Sequence, residues 1–249
     1  MQAVDQQVLA QVVEWLQAGE SCWLATVVAT YGSSPRPEGS LMTCNTSGKI
    51  VGSLSGGCVE DDLLEKLTTG VLARSAPQFF RYGETAEEAE KLGLPCGGHL
   101  DIVVEPLEPQ EQTSALFAQI VARLKERKRV SRAVDLTAQT TQVIEAENYE
   151  APEFSRATNV LKQTYGPRYQ LFIIGAGMVS QYVAEIAQVL DYHVTVCDPR
   201  EDVLGDFAVE GVDKVSDMPD EAIRARANDQ QSAIVALTHD PLTLVLRRA

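Results

Sequence analysis

Leu171-Phe172-Ile173-Ile174-Gly175-Ala176-Gly177-Met178-Val179-Ser180 decides the fold of the C-terminal part of the chain. An apolar run, a glycine-flanked turn and the start of a helical pattern give the strand, tight turn and helix opening of a dinucleotide-binding fingerprint, with Ser180 where Gly or Ala is usual. Serine there is expected to widen the helix–strand contact slightly without forbidding it. Asp198 ends the next strand, 23 positions after Gly175, where an acidic side chain can accept the ribose hydroxyls of a nucleotide. Gly175, Gly177 and Asp198 are therefore candidate cofactor-binding residues for NAD or NADP, although a Rossmann-like fold hosts other ligands too. His239-Asp240-Pro241 follows the last strand, at the carboxyl edge where such sheets place ligands; a strand-ending turn is the plainer reading.

Outward from this stretch the pattern alternates strand and helix. Strands are expected over Gln170–Ile174, His193–Cys197, Asp213–Val215 and Ser232–Leu237, and helices over Met178–Leu190, Asp202–Val209 and Pro219–Ala227. Upstream, Asn148–Tyr169 is polar, carries Pro152 and Pro167, and shows little periodicity, which reads as a linker. The expected organisation is α/β: an N-terminal α+β domain over residues 1–147, a linker over 148–169, and a Rossmann-like parallel α/β domain over 170–249.

In the N-terminal domain, Val4 to Leu16 places apolar residues on one side of a helix closed by Ala18-Gly19, and Cys22–Thr30 reads as a buried strand. The stretch from Ile50 to Leu67 repeats the strand, glycine turn and helix theme around Ser55-Gly56-Gly57-Cys58. Backbone N–H groups opening such a helix lack helical partners and can approach an anion. Cys58 beside them is either a nucleophile or soft-metal ligand, or a small apolar filler, and Glu60, Asp61 and Asp62 oppose thiolate formation. Pro35-Arg36-Pro37 holds a guanidinium on a stiff loop that precedes a hairpin through Asn45–Gly48, so arginine loop and glycine turn are expected to form one site; an incidental surface arginine is the alternative. Pro95-Cys96-Gly97-Gly98-His99 is a second cysteine beside a double glycine, and His99 is a base, a ligand or a local hydrogen-bonding group. Strands over Gln78–Tyr82, Leu100–Glu105 and Val130–Thr137 and a helix over Pro109–Arg129 complete the domain.

The 249 residues are 45% hydrophobic and 22% charged, in the range of soluble globular chains. A net charge of −14 argues against nucleic acid or an anionic membrane as partner. Five dispersed cysteines make no disulfide framework, no metal-ligand spacing occurs, and no apolar run approaches a membrane span or signal segment. The protein is expected to be cytoplasmic with reduced thiols.

Gly32-Ser33-Ser34-Pro35-Arg36-Pro37, Gly52-Ser53-Leu54-Ser55-Gly56-Gly57-Cys58-Val59-Glu60, Cys96-Gly97-Gly98 and the late Gly175-Ala176-Gly177 together resemble the XdhC/CoxI family, over nearly the whole chain. The resemblance implies a maturation factor rather than an enzyme. It would bind molybdenum cofactor, as molybdopterin or its dinucleotide form, protect it, assist its sulfuration with a cysteine desulfurase, and insert it into the apoenzyme of a xanthine dehydrogenase-type molybdenum hydroxylase. By position it points to Arg36, Ser55, Gly56, Gly57, Cys58 and Cys96 as the cofactor region. A homo-oligomer is expected. Met178 stands where the family usually has histidine, and the chain stops at Ala249, short of the family's usual length, so the second domain is expected to be incomplete at its C-terminus. Two other classes stay open: an NAD(P)-dependent oxidoreductase resting on Gly175–Ser180 with Asp198, and a thiol-based sulfur carrier resting on Cys58 and Cys96.

Overall fold

In the computed structural model, which describes residues 3–31, 36–92 and 98–238, the chain divides into two units, Ala3–Gly166 and Pro167 onward. In the first, helix α1 (Ala3–Gln17) buries Val8, Leu9, Val12, Trp15 and Leu16, the face its apolar spacing predicts. It packs on a five-stranded antiparallel sheet whose members are β1 (Cys22–Thr30), β2 (Leu41–Asn45), β3 (Ile50–Gly52), β4 (Gln78–Tyr82) and β5 (Leu100–Leu107), in the order β3-β2-β1-β5-β4. Helix α2 (Cys58–Thr68) covers the opposite face through Val59, Leu63 and Leu67. Two further helices, α3 (Ala86–Lys91) and α4 (Glu111–Lys125), complete this part, with Phe117, Ile120 and Leu124 of α4 packing beside α1.

Strand register gathers the singled-out motifs at one end of this sheet. Leu41 lies opposite Thr26, Gly52 opposite Met42, and Leu100 opposite both Thr30 and Tyr82. The arginine loop, the glycine turn and the segment between β4 and β5 therefore all leave the sheet at the same end. Tyr31 and His99, flanking that end, stack with ring centroids 5.3 Å apart.

The expected linker is corrected. Strands β6 (Val130–Asp135), β7 (Thr140–Glu145), β8 (Glu153–Ser155) and β9 (Val160–Tyr165) form a second antiparallel sheet, ordered β7-β6-β9-β8, and the unit boundary falls at Gly166/Pro167. The polar look of β9 comes from buried hydrogen bonding. Arg132 donates to both oxygens of Glu105 on β5 at 2.7 and 2.9 Å and to Tyr165 Oη at 3.1 Å. Tyr165 donates to Gln163 Oε1 at 3.1 Å, and Gln163 Nε2 donates to the Gly39 carbonyl at 2.9 Å. This bidentate, fully partnered network ties the second sheet to the first and reaches the arginine loop.

The second unit holds parallel strands β10 (Gln170–Ile174), β11 (His193–Cys197), β12 (Asp213–Val215) and β13 (Ser232–Ala236) in the order β12-β11-β10-β13. Helices α5 (Met178–Val189) and α6 (Glu201–Gly205) pack on one face through Ala184, Ala187 and Leu204, and α7 (Pro219–Arg226) packs on the other through Ala222 and Ile223. The order reverses between β10 and β13, and Gly175 lies at that switch point. Its φ is +100°, and a Cβ there would stand 2.9 Å from the Leu237 carbonyl oxygen. His239-Asp240-Pro241 lies outside the described residues. Among the described residues no helix is long and apolar enough to cross a membrane.

Gly52 closes β3 with φ +91°; a Cβ there would overlap the Leu41 carbonyl oxygen and lie 2.5 Å from Val8 Cγ2. Gly52→Ala is expected to lower unfolding free energy by about 3 kcal/mol in a denaturant titration. Gly205→Ala, whose Cβ meets nothing within 4 Å, should leave stability unchanged or raise it by up to about 1 kcal/mol.

Candidate functional site

The glycine turn between β3 and α2 is organised by an acid of its own. Glu60, three residues into α2, turns its carboxylate back over the turn. Oε1 accepts from the N–H groups of Leu54, Ser55 and Gly56 at 2.8, 2.9 and 2.9 Å and from Ser53 Oγ at 2.7 Å. Oε2 accepts from the Gly57 N–H at 3.0 Å and from Ser55 Oγ at 2.8 Å. Burial by itself would push this carboxyl up; the N–H groups of Ser55 and Gly56 and the hydroxyls of Ser53 and Ser55 outweigh it and bring it down to about 2. The expectation that the Ser55, Gly56 and Gly57 amides receive an external anion is therefore corrected: they face Glu60.

The turn still presents an outer surface. Gly56, Gly57 and Cys58 are exposed, and nothing lies within 4 Å of where a Gly57 Cβ would stand. Cys58 opens α2, and among the described residues no protein acceptor meets its N–H or that of Val59. Its thiol is exposed, whereas the other described cysteines are buried; burial pushes Cys22 and Cys44 up to about 12 and Cys197 up to about 11, which keeps those three protonated. Cys96 lies outside the described residues.

Arg36 is brought to the turn, but not as an open anion receptor. Its Nη2 donates to Asp5 Oδ1 on α1 at 3.1 Å, and its Nε donates to the Ser53 carbonyl at 3.3 Å. Asp5 Oδ1 also accepts from the Leu41 N–H at 3.1 Å. The loop arginine is thus held in one place, as its flanking prolines suggest, with its charge met by Asp5. Sequence reasoning did not single out Asp5, nor the inward turn of the Glu60 carboxylate, as what holds the loop and the turn in place. Asp5 shares the spacing of Leu9, Val12 and Leu16, so an acid on the buried stripe was a signal. Glu60 stands at the third helical position after Gly57, where a carboxylate reaches back to the cap N–H.

In the second unit the fingerprint turn shows the same internal closure. Asp198, nearly inaccessible, accepts from the Ala176 N–H at 2.9 Å and from Arg200 Nη2 at 2.7 Å on Oδ2, and from the Arg200 N–H and Nε at 3.1 and 2.9 Å on Oδ1. Arg200 first, with the Ala176 N–H adding to it, holds this carboxyl below its ordinary value. Four donors fill the roughly four acceptor positions of a carboxylate, so the expected role of Asp198 toward ribose hydroxyls is corrected. Gly177 caps α5 and is exposed. Ser180 tightens the turn instead of widening it, donating from Oγ to the Gly175 carbonyl at 2.5 Å while fully buried. Among the described residues no cluster of three or more His, Cys, Asp or Glu could hold a metal ion.

Residues 15–83 match the XdhC and CoxI family, and residues 171–244 match the XdhC Rossmann domain. The chain is 27% identical over 195 residues to the molybdenum cofactor insertion chaperone PaoD of Escherichia coli, covering 77% of this chain and 57% of that protein. It is 22% identical over 206 residues to a probable xanthine dehydrogenase subunit of Bacillus subtilis, covering 74% of this chain and 62% of that protein. The chain thus spans about three fifths of the length of these relatives. A crystal structure of a xanthine dehydrogenase from Bacillus halodurans has the same fold, with TM-score 0.70 at 21% identity over 94% of this chain and 76% of that one.

The two closed turns lead to separate tests. Because the folded-state pKa of Glu60 is depressed, its contribution is present above the ordinary carboxylate range and is lost as pH falls from 4.5 toward about 2. Chemical unfolding across that window should show roughly 3 kcal/mol of stability lost in the wild type, and a flatter acid limb with lower neutral-pH stability in Glu60→Gln. For the second turn, calorimetric titration with NAD and NADP is expected to give a Kd weaker than about 1 mM. Arg200→Ala should tighten it, whereas tight wild-type binding would contradict the closure of Asp198.

Proposed function

We propose that this chain, which belongs to the XdhC and CoxI family, is a cytoplasmic chaperone that carries molybdenum cofactor as cargo. It shields the cofactor, assists its sulfuration with a cysteine desulfurase, and inserts it into the apoenzyme of a xanthine dehydrogenase-type molybdenum hydroxylase. The insertion role draws on the Escherichia coli relative's name. The observation that carries the reading is Cys58, an exposed thiol opening α2 beside two exposed glycines, while Cys22, Cys44 and Cys197 are buried.

The chemistry of the residues suits such a cargo. A thiol is a soft donor matched to a metal with sulfur ligands. The N–H groups of Cys58 and Val59, at the positive end of α2, suit the cargo's phosphate. Exposed Gly56 and Gly57 place no side chain between cargo and backbone. Glu60, Ser53, Arg36 and Asp5 act from beneath by holding the turn; none of them is offered to the cargo. The oxidoreductase reading is disfavoured because all the acceptor positions of Asp198 are used within the protein.

The test is the molybdenum and pterin content of protein purified from cells that make the cofactor. Wild type should retain both, and Cys58→Ser and Cys58→Ala should each retain at least about tenfold less. Melting temperatures should be unchanged, because the side chain is exposed. Full retention by both variants would remove the thiol from the site, and absence of molybdenum and pterin from the wild type would overturn the reading.

A further inference from the structure

Strand alternation puts Tyr31, His99, Asp101 and Arg81 on one face of the first sheet, the face opposite α2. The Tyr31 N–H donates to the His99 carbonyl at 3.0 Å, and Arg81 is the cross-strand partner of Asp101. The Tyr31 and His99 rings lie parallel, 4° between their planes. Tyr31 is 66% exposed. Among the described residues no second ring stacks on it, and neither its hydroxyl nor the His99 imidazole has a hydrogen-bond partner. Beside this pair Asp101, nearly inaccessible, accepts from Arg81 Nε and Nη2 at 2.5 and 2.6 Å and from Arg156 Nη2 at 3.3 Å. Arg156, in the turn after β8, is steadied 4.4 Å over the Phe79 ring.

This corner is the reverse of the Asp198 turn, where donors and acceptors balance. Two guanidiniums bring about ten N–H donors to the roughly four acceptor positions of one carboxylate. A tie between the two sheets needs one cation on Asp101; the second leaves positive charge in surplus, in a chain whose net charge is −14. Glu84 acts on Arg81 only through space and takes none of those donors. We propose that the corner binds a nucleoside monophosphate, its base stacked on the open face of Tyr31 and its phosphate bridging Arg81 and Arg156. Spacing selects this ligand. Residues two apart on a strand stand roughly 6.8 Å from each other, so the ring pair and the guanidiniums are separated by about the width of a sugar, which a base and its 5′-phosphate span together and a bare phosphate or a lone ring does not. Guanidiniums grip a phosphate through paired N–H groups, while stacking on an aromatic ring tolerates any base. The site lies across the sheet from α2 and does not rest on the cofactor reading.

The chain has 3 histidines, so the His99 imidazole protons can be followed by NMR in the full-length protein and identified by their loss in His99→Gln. Titration with UMP or AMP should shift them saturably, and each nucleotide should bind at least about tenfold tighter than its nucleoside or inorganic phosphate alone. Arg156→Gln and Tyr31→Ala, both at exposed positions, should each weaken UMP binding at least about tenfold with unchanged far-UV circular dichroism, whereas Tyr31→Phe, which keeps the ring, and the distant Arg224→Gln should bind as the wild type does. Three results would each overturn the proposal: no saturable His99 shift with either nucleotide up to about 10 mM, inorganic phosphate binding as tightly as UMP, or UMP binding untouched by both Arg156→Gln and Tyr31→Ala.

Discussion

One buried carboxylate sets the geometry of the N-terminal unit's candidate site. Glu60 receives four backbone N–H groups and two hydroxyls, each at 2.7 to 3.0 Å. Without it the amides of Leu54 to Gly57 would lose this acceptor, and the buried Leu54 N–H left unmet would by itself cost about 1–3 kcal/mol. With it, the backbone between β3 and α2 has a single arrangement, Ser53 is oriented to receive Arg36, and Arg36 in turn is anchored on Asp5 of α1. The loop, the turn and the first helix are one electrostatic chain of alternating sign.

The same device recurs in the second unit, where Asp198 takes the Ala176 N–H of the fingerprint turn and is itself clamped by Arg200. Both strand–glycine–helix turns are therefore shaped like anion sites yet supplied with an internal anion. Among the described residues, the outer rims of these two turns are exposed at Gly56, Gly57 and Cys58 in one unit and at Gly177 in the other. Under the proposed reading, the Cys58 thiol would discriminate for a soft metal, and the N–H groups of Cys58 and Val59 would take the anionic part of the cargo.

Much of this was legible in the sequence because glycine turns and hydrophobic period are local signals. The strands β1, β4, β10, β11 and β12, the parallel sheet, and the placement of Cys58 at a helix start all follow from residues adjacent in the chain. Residues 148–169 were misread for a physical reason. Gln163 and Tyr165 are buried through hydrogen bonds to distant partners, Gly39 and Arg132, so the apolar alternation of β9 is masked by side chains whose burial is satisfied across the fold. Arg36 and Asp198 both lie beside glycine turns, but each is engaged within the protein: Arg36 pairs with Asp5 across 31 positions, which no local pattern records, whereas Asp198 pairs with Arg200 only two positions on, a local signal the sequence reading did not use.

Amide hydrogen exchange at Leu54, Ser55, Gly56 and Gly57 tests the central claim most directly, since it reads the four donors themselves. The account predicts slow exchange of all four in the wild type. In Glu60→Gln they should exchange faster by about tenfold or more, while Phe172 and Ile173 in β10 keep their wild-type rates. Equal exchange at these four amides in the two proteins would contradict it.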